Sequence, residues 1–269
     1  MKERRILVCI KPVPDPEHYD EIRIDPTSKT LVRSGIPAVI NPNDKNAIEA
    51  ALKVREYWGG TVELLSMAPP DAEENLREGL AMGADKAYLL SDRSFAGSDT
   101  LATARVLAAG VEKIGSFDLV ITGSESADGG TTNVSPQLGE MLGLPHVCNV
   151  ESIKPQNEGQ WQLNVKIEEG YMEVEGPTPM VIGVNHKINI PRYTTVMGIM
   201  EAEDKEVVIW SAADLGIDNG KVGLTGSPTQ PGGLHEPKLQ RAGELLEGEP
   251  EVVVDKLIKL LRQAGVLNA

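Results

Sequence analysis

The sequence predicts an α/β protein with a doubly wound, mainly parallel sheet and a C-terminal arm. Short apolar runs alternate with helix-like segments from Ile6 to Gly143, in the order β-α-β-α-β-α-β-α-β. This alternation is typical of parallel strands joined by right-handed helical crossovers. The chain has 269 residues, of which 41% are hydrophobic and 25% charged. That length allows one large domain with an appendage.

The elements follow from apolar spacing and from helix start and stop signals. Asn43 or Asp44 is predicted to cap the first helix, Ser98 to open the third, and Ser135 to cap the fourth, with Pro136 at its first position. The predicted helices end at the glycines 59, 83, 115 and 143. The predicted strands are 6–10, 61–66, 86–90, 119–122 and 179–185, with a hairpin over 161–177 around Glu169 and Gly170.

One loop carries the strongest functional signal. Residues 118–143 read DLVITGSESADGGTTNVSPQLGEMLG, in which a strand leads through a loop at 123–134 to a helix. The loop contains three glycines and no Lys or Arg, so a phosphate there would depend on backbone N–H groups, hydroxyls and the helix dipole. Phosphoryl transfer needs a Lys and a metal site, and the loop therefore favours a bound nucleotide. A polar surface turn is the alternative interpretation.

Composition excludes several partner classes. Aromatic residues make up 4% of the chain, too few for a base-stacking platform, and the formal net charge of −14 repels nucleic acid and anionic membranes alike. We find no apolar run of membrane-spanning length and no signal-peptide core after MKERR. Cys9 and Cys148 lie in apolar runs, which predicts buried thiols and no disulfide framework. A cytoplasmic protein is expected.

Regular apolar patterning fades after Asn185. A Gly- and Pro-rich stretch at 220–237 precedes an amphipathic pattern at 250–267, and a compact domain seldom needs so long an irregular segment. We therefore predict a nucleotide-binding α/β domain at 1–190, and a recognition loop and extended arm at 191–269. The terminal helix of the arm is expected to pack on a partner subunit.

Four blocks in register resemble the β subunit of electron transfer flavoproteins. They are VCIKPVPD near the N-terminus and the stretches 24–52, 76–90 and 188–207. The resemblance covers residues 1 to about 220 and implies a Rossmann-like, adenine-nucleotide-binding sheet. It also implies a heterodimer whose α subunit carries a redox-active FAD in a mobile domain, while the β subunit binds a nucleotide of its own. An acyl-CoA dehydrogenase or a similar flavin dehydrogenase is the implied electron-transfer partner.

The nucleotide-binding positions of that family carry across where the local sequence matches. Cys9 ends the first strand, where the backbone meets the adenine; Asn41 and Pro42 precede the first helix; and Met67 ends a later strand. The phosphate loop supplies the remaining predicted ligands, which are Gly123, Ser124, Asp128, Gly129, Gly130, Thr131, Thr132, Asn133 and Val134. No catalytic residue and no metal ligand is predicted, since the chemistry would belong to the cofactor.

The loop favours FAD over AMP. Asp128-Gly129-Gly130 stands where AMP-binding members have three Asp, and glycines let the backbone approach a pyrophosphate. The ending Val134-Ser135-Pro136 is similar to the Val-Gly-Pro of electron-bifurcating members, which implies a second FAD and NADH as donor. The loop departs from those members in two places. It has Gly-Ser-Glu where they have Gly-Arg-Gln, and Gly-Gly-Thr-Thr where they have Gly-Asp-Thr-Ala. AMP with simple electron shuttling therefore stays an alternative.

The run from Arg192 to Met200 matches the recognition loop that docks on dehydrogenases. Its apolar side chains lie in a segment without core periodicity, and Val196 stands where many members have Leu. The predicted partner-binding residues are Arg192, Tyr193, Val196, Met197, Ile199 and Met200. The alternative is that these residues only cover the hinge of the arm.

Two other function classes fit the sequence less well. A hydrolase is disfavoured because Glu125 occupies the nucleophile position of the Gly-x-Ser-x-Gly pattern, and the four histidines lack zinc-ligand spacing. A stand-alone adenine-nucleotide sensor fits the sheet but does not need the arm from Pro191 onward.

Overall fold

The structure is a computed structural model that describes residues 4–21, 23–24, 31–32, 35–156, 159–230, 232, 243 and 245–267. The chain divides into two compact units, Met1–Gly232 and Gly233–Ala269. Within the described part of the chain, no helix is both long and apolar enough to cross a membrane.

The first unit is built on a nine-stranded sheet. In chain order the strands of the protein are β1 (Arg5–Cys9), β2 (Pro12–Pro14), β3 (Arg23–Ile24), β4 (Leu31–Val32), β5 (Ala38–Ile40), β6 (Thr61–Met67), β7 (Lys86–Leu90), β8 (Leu119–Gly123), β9 (His146–Pro155), β10 (Gln160–Ile167), β11 (Gly170–Pro177), β12 (Met180–Val184) and β13 (Val207–Trp210). The main sheet has the order β11-β10-β9-β12-β8-β1-β6-β7-β13. In this order, every pair of neighbouring strands from β9 through β12, β8, β1, β6 and β7 to β13 is parallel. At the other end of the sheet, β9, β10 and β11 form an antiparallel meander. The predicted fold class is confirmed.

Seven helices lie among the described residues. They are α1 (Pro42–Trp58), α2 (Glu73–Met82), α3 (Thr100–Ile114), α4 (Val134–Leu142), α5 (Val196–Asp204), α6 (Ala212–Leu215) and α7 (Pro250–Gln263). Short 3-10 segments occur at Pro16–Glu21, Pro70–Ala72, Arg93–Phe95, His186–Ile188 and Asn219–Lys221.

Helices cover both faces of the sheet, as alternation along the central strands requires. In β1, Ile6 and Val8 pack against α1 and α2, in a core that also holds Ala202 of α5. Leu7 and Cys9 point to the opposite face, among buried residues of α3, α4 and α6. Every residue from Ile6 to Cys9 is buried, which explains why this strand reads as a continuous apolar run.

Three predicted helix starts are wrong. The first helix begins at Pro42 with Asn41 at the N-cap, rather than at Asn43 or Asp44. The fourth begins at Val134, so Pro136 is its third residue and Ser135 a buried second residue rather than the cap. Pro136 is compatible with the third position of the helix, because N–H groups throughout the first turn have no intrahelical partner and proline lacks an N–H. Asp99, and not its neighbour Ser98, caps α3 by accepting from the N–H of Ala102.

The region after Asn185 is more regular than the sequence predicts. Residues 196–204 form α5, and residues 207–210 form β13, which pairs in parallel with β7 at the edge of the main sheet. Part of the Gly- and Pro-rich stretch is also packed, because Val222 and Ser227 are buried. Most of residues 231–237 lie outside the described part of the chain.

In the second unit, α7 is the described helix. None of its residues is buried, and large apolar side chains such as Val252, Leu257 and Leu260 are exposed. An apolar helix face of this kind is usually covered in an assembled protein.

Candidate functional site

The sheet has a switch in strand order at β1. The chain passes from β1 to β6 and β7 on one side, and then returns to β8 on the other side of β1. Doubly wound sheets bind ligands in the crevice at the carboxyl ends of the strands beside such a switch. Cys9, Met67 and Gly123 end β1, β6 and β8. Three predicted binding residues thus lie at one edge of the sheet.

A buried carboxylate spans this crevice. Asp44, in the first turn of α1, is 6% exposed. Its Oδ2 accepts from the backbone N–H of Lys11 just after β1, at 2.7 Å, and its Oδ1 accepts from the backbone N–H of Gly123 at the end of β8, at 3.1 Å. Gly123 must be a glycine, since a Cβ there would overlap Asp44 and lie 2.8 Å from Cβ of Asn43.

The crevice alters two pKa values. Burial raises the pKa of Asp44 to about 7, although hydrogen bonds from Asn41, Lys11 and Gly123 and the charge of Lys11 oppose the rise. Burial, helped by the negative charge of Asp44, raises the pKa of Cys9 to about 12. The thiol is therefore protonated at neutral pH, and a nucleophilic role for Cys9 has no support.

Asn41 ties the start of α1 to the phosphate loop. This side chain is 2% exposed. Its Nδ2 donates to the carbonyl of Glu125 at 2.8 Å, and its Oδ1 accepts from the N–H of Ala127 at 3.0 Å. Asn43 donates to the same Glu125 carbonyl at 3.2 Å, while Pro42 opens the helix. The predicted residue Asn41 therefore lies directly against the loop, and the predicted residue Pro42 follows it in the chain.

The far half of the loop is open. The five residues 129–133, which include Gly129, Thr131 and Asn133, are exposed. Gly130 has φ 55°, and a Cβ added there would have no other atom within 4 Å, while Thr132 has φ 58° without being a glycine. Strained backbone of this kind is concentrated at ligand sites. Helix α4 begins at Val134, and the side chain of Asn133 does not cap it. The N–H groups of Val134 and Ser135, in the first turn of α4, have no intrahelical partner and face the end of the loop.

Sequence reasoning missed Lys11. Its Nζ lies 2.6 Å from Oδ1 of Asp128 and 3.3 Å from Oγ of Ser126. The loop itself contains no cation, yet the fold supplies one from the end of β1. The available signal was that Lys11 directly follows the strand that ends in the crevice.

Ser124 has a different setting from the other predicted loop residues. Its N–H donates to the carbonyl of Val184, and its Oγ accepts from the N–H of Asn149 at 3.1 Å. Asn149 has φ 59° and accepts from Nδ2 of Asn185. Ser124 thus anchors the loop to β9 and β12.

The docking segment, defined as residues 192–200, is held from behind. Arg192 forms a two-pronged ion pair with the buried Glu49 of α1, at 2.7 and 3.2 Å, and contacts Glu56 at 2.8 Å. Gly198 packs on α2 so closely that a Cβ would overlap the carbonyl of Ala81. Arg192 is therefore engaged within the chain.

The outer side of the docking segment is apolar and exposed. Tyr193 is 96% exposed and Val196 is 76% exposed. Met197, Ile199 and Met200 are each more than half exposed. Helix α5 buries only Ala202, so these side chains do not cover a core of the described chain.

Comparison with known proteins gives the family. Residues 28–215 match the electron transfer flavoprotein domain. The chain is 44% identical to the electron transfer flavoprotein subunit beta of Thermoanaerobacterium thermosaccharolyticum, over 97% of this chain and 99% of the relative. The chain belongs to the electron transfer flavoprotein β-subunit family. Its role in the cell is electron transfer.

Two further relatives are named as parts of larger reductase systems. The caffeyl-CoA reductase-Etf complex subunit CarD of Acetobacterium woodii is 41% identical, over 98% of this chain and all of the relative. The acryloyl-CoA reductase electron transfer subunit gamma of Anaerotignum propionicum is 38% identical over the same shares of the two chains.

In this β-subunit family member, the crevice offers polar groups suited to a nucleotide. Backbone N–H groups of the loop and of α4 suit anionic oxygens, and Lys11 adds a positive charge. Among the described residues, no group of three or more His, Cys, Asp or Glu is placed to hold a metal ion.

Proposed function

We propose that this electron transfer flavoprotein β subunit binds a nucleotide in the crevice between β1 and β8. The observation that carries the proposal is the link from Asp44 and Asn41 to the strand ends and the loop, with bonds of 2.7 to 3.1 Å. Buried side chains that fix an otherwise open loop are typical of a preorganised binding site.

The nucleotide is FAD rather than AMP. The exposed Gly129 and Gly130 leave space beside the loop, which suits a pyrophosphate better than a single phosphate. The backbone of the loop, the first turn of α4 and Lys11 would hold the phosphates, and the end of β1 at Cys9 and Met67 of β6 would border the adenine. FAD would supply the redox chemistry, and no side chain of this chain is needed as acid, base or nucleophile.

A second FAD is carried by the α subunit, so that the heterodimer passes electrons to or from a flavin dehydrogenase that acts on acyl-CoA substrates. NADH is the proposed donor, in an electron-bifurcating reaction. The names of the caffeyl-CoA and acryloyl-CoA reductase relatives support this partner class. The alternative is an ordinary electron shuttle with AMP in the crevice.

The nucleotide content of the purified complex tests the identity of the ligand and the type of electron transfer. Two FAD per heterodimer, together with loss of flavin absorbance on rapid mixing with NADH, is the expected result. One FAD and one AMP, with no reduction by NADH, would place the chain in an ordinary shuttle. A complex with no nucleotide beyond the FAD of the α subunit would contradict the crevice as a site.

The arm at 191–269 is proposed to complete the heterodimer through its terminal helix. The exposed apolar side chains of α7 support this, because they have no burial within the described residues of the chain. We expect the chain to be poorly stable when expressed alone, and co-expression with the α subunit to give a 1:1 complex. A stable monomer without affinity for the α subunit, measured by light scattering and calorimetry, would contradict the pairing.

The docking segment is proposed to bind the dehydrogenase. An exposed group of apolar side chains beside the charged residues 201–206 has the anatomy of a transient interface, with an apolar centre and a polar rim. A cytoplasmic location remains a prediction.

A further inference from the structure

We propose that Asp44 is a positioning residue that joins the two strand ends of the crevice, so that nucleotide binding requires its ionised carboxylate. The proposal rests on the proposed nucleotide site. It adds a residue that lies beneath the loop, outside the set expected to contact the nucleotide.

The geometry supports this role because one carboxylate serves two strands. Oδ2 accepts from the N–H of Lys11, and Oδ1 accepts from the N–H of Gly123, so each oxygen holds one wall of the crevice. These strands are direct neighbours in the sheet, and their loops leave it at this point. In an Asn side chain, one of these two oxygens is replaced by an NH₂ donor, which cannot accept from the N–H group that it would face.

The bond to Lys11 also orients the cation of the site. Because the backbone of Lys11 is fixed by Asp44, its side chain reaches across to Asp128 and Ser126 of the loop. Loss of the two hydrogen bonds to Asp44 would therefore free the end of β8, where the loop begins, and also Lys11, which faces the loop. A buried N–H left without an acceptor is costly.

The surroundings of Asp44 make its ionisation sensitive to pH. The described groups that bear on its charge are the thiol of Cys9 on β1 and the ammonium of Lys11, with Asp128 beyond it in the loop. The thiol stays neutral, since its pKa is raised to about 12. The pKa of Asp44 itself is raised to about 7 by burial, so the carboxylate loses its charge as the pH falls from 8 to 6.

Calorimetric titration with FAD and with AMP, at several pH values, tests the proposal. The protein titrated is the complex with the α subunit, in which the crevice has been emptied of nucleotide and the FAD of the α subunit has been left in place. Wild type is compared with Asp44→Asn, which keeps the shape but replaces one acceptor by a donor. Glu112→Gln is the matched control, because it removes the same charge from an exposed side chain of α3. Comparing variants at each pH cancels the titration of the AMP phosphate itself.

We expect Asp44→Asn to weaken binding of both ligands by about 10-fold or more at pH 8. Wild-type affinity for FAD should fall by about 10-fold from pH 8 to pH 6, because the ionised fraction of Asp44 falls from about 0.9 to about 0.1 across a pKa of about 7. The profile of Asp44→Asn should be flat. Lys11→Met keeps the backbone N–H, so it should bind more weakly while retaining the pH dependence. If thermal unfolding shows that Asp44→Asn is poorly folded, the pH dependence of wild type and of Lys11→Met still tests the proposal.

The outcomes separate the two proposals. If wild type binds neither FAD nor AMP, the nucleotide site itself is wrong. If wild type binds but Asp44→Asn binds equally well, or if wild-type affinity rises on acidification, the positioning role of Asp44 is wrong while the site stands.

Discussion

The nucleotide crevice and the docking segment are built in opposite ways. In the crevice, the buried polar side chains of Asp44 and Asn41 link the start of α1 to the end of β1 and to the loop after β8. In the docking segment, Arg192 and Gly198 pack against α1 and α2, while the opposite side exposes large apolar groups. The first arrangement fixes a small polar ligand in one orientation, whereas the second suits a partner that binds and leaves. Damage to one region should therefore spare the function of the other.

The sharpest test of this separation is Val196→Asp. The exposed valine would carry a charge into an apolar interface, so electron delivery to the dehydrogenase should weaken by about 2 kcal/mol or more, or roughly 30-fold. Flavin content and reduction of the free complex should stay normal. Steady-state transfer rates at varied dehydrogenase concentration measure the effect.

Tyr57→Asp is the control for that variant, because it places the same charge at another exposed apolar side chain, on α1. If Val196→Asp transfers electrons at the wild-type rate but loses heterodimer stability, the segment is structural and covers the hinge of the arm.

The converse change is Gly130→Asp in the loop. No atom of the chain lies within 4 Å of the added Cβ, and Asp tolerates the positive φ of this position. The cost therefore comes from a carboxylate beside the phosphates, on the order of 1 to 3 kcal/mol of binding. Gly130→Asn, with the same shape and no charge, should cost much less. Equal nucleotide loss in the two variants would point to backbone strain, and unchanged content in both would argue against phosphates at this turn.

Arg192 links the regions and sharpens the comparison further. Its guanidinium pairs with the buried Glu49, which lies in the same helix as Asp44. A double-mutant cycle of Arg192→Met and Glu49→Gln should give a coupling of about 1 kcal/mol in unfolding free energy, since the arginine is partly exposed. If the coupling is near zero while docking is lost, Arg192 acts mainly on the partner.

The smallest expected effect is a pH dependence of stability. The pKa of Asp44 is raised to about 7 in the folded protein, from an ordinary value of 3.8. The folded state therefore holds a proton that the unfolded state has released. The stability contributed by that proton is fully present below the unfolded pKa and is lost as the pH rises through 7. Between pH 6 and pH 8 the loss is about 1 kcal/mol. Thermal unfolding at both pH values should show this difference in wild type but not in Asp44→Asn.

The sequence predicted the central sheet well and the edge formed by β13 poorly. Strands such as β1 and β8 are buried on both faces, so their apolar runs are unmistakable. Strand β13 is short and follows a helix whose apolar residues face outward, so no core periodicity marked either element. Exposed apolar side chains at Val196 and Met197 instead predicted a docking surface, and that prediction stays untested.

The sequence predicted which strand ends meet at the crevice, but it missed the contacts between distant segments there. The binding site itself stays a prediction. The family resemblance supplied Cys9, Met67 and Gly123, and these residues end the strands that the carboxyl-end rule selects. Lys11 reaches Asp128, and Asp44 reaches Gly123, across 117 and 79 residues. No local sequence pattern encodes such pairs. From the sequence, Asp44 was predicted only as a possible cap of the first helix.

The most direct test of the account is the nucleotide content of the Gly123→Ala complex. An added methyl group would overlap Asp44 and press on Asn43, which should force the end of β8 away from α1. Gly232→Ala is the control, since no atom lies within 4 Å of its added Cβ. Quantifying nucleotides released from each purified complex should show one fewer per heterodimer in Gly123→Ala, with the FAD of the α subunit retained. Full nucleotide content in a folded Gly123→Ala complex would contradict a binding site between β1 and β8.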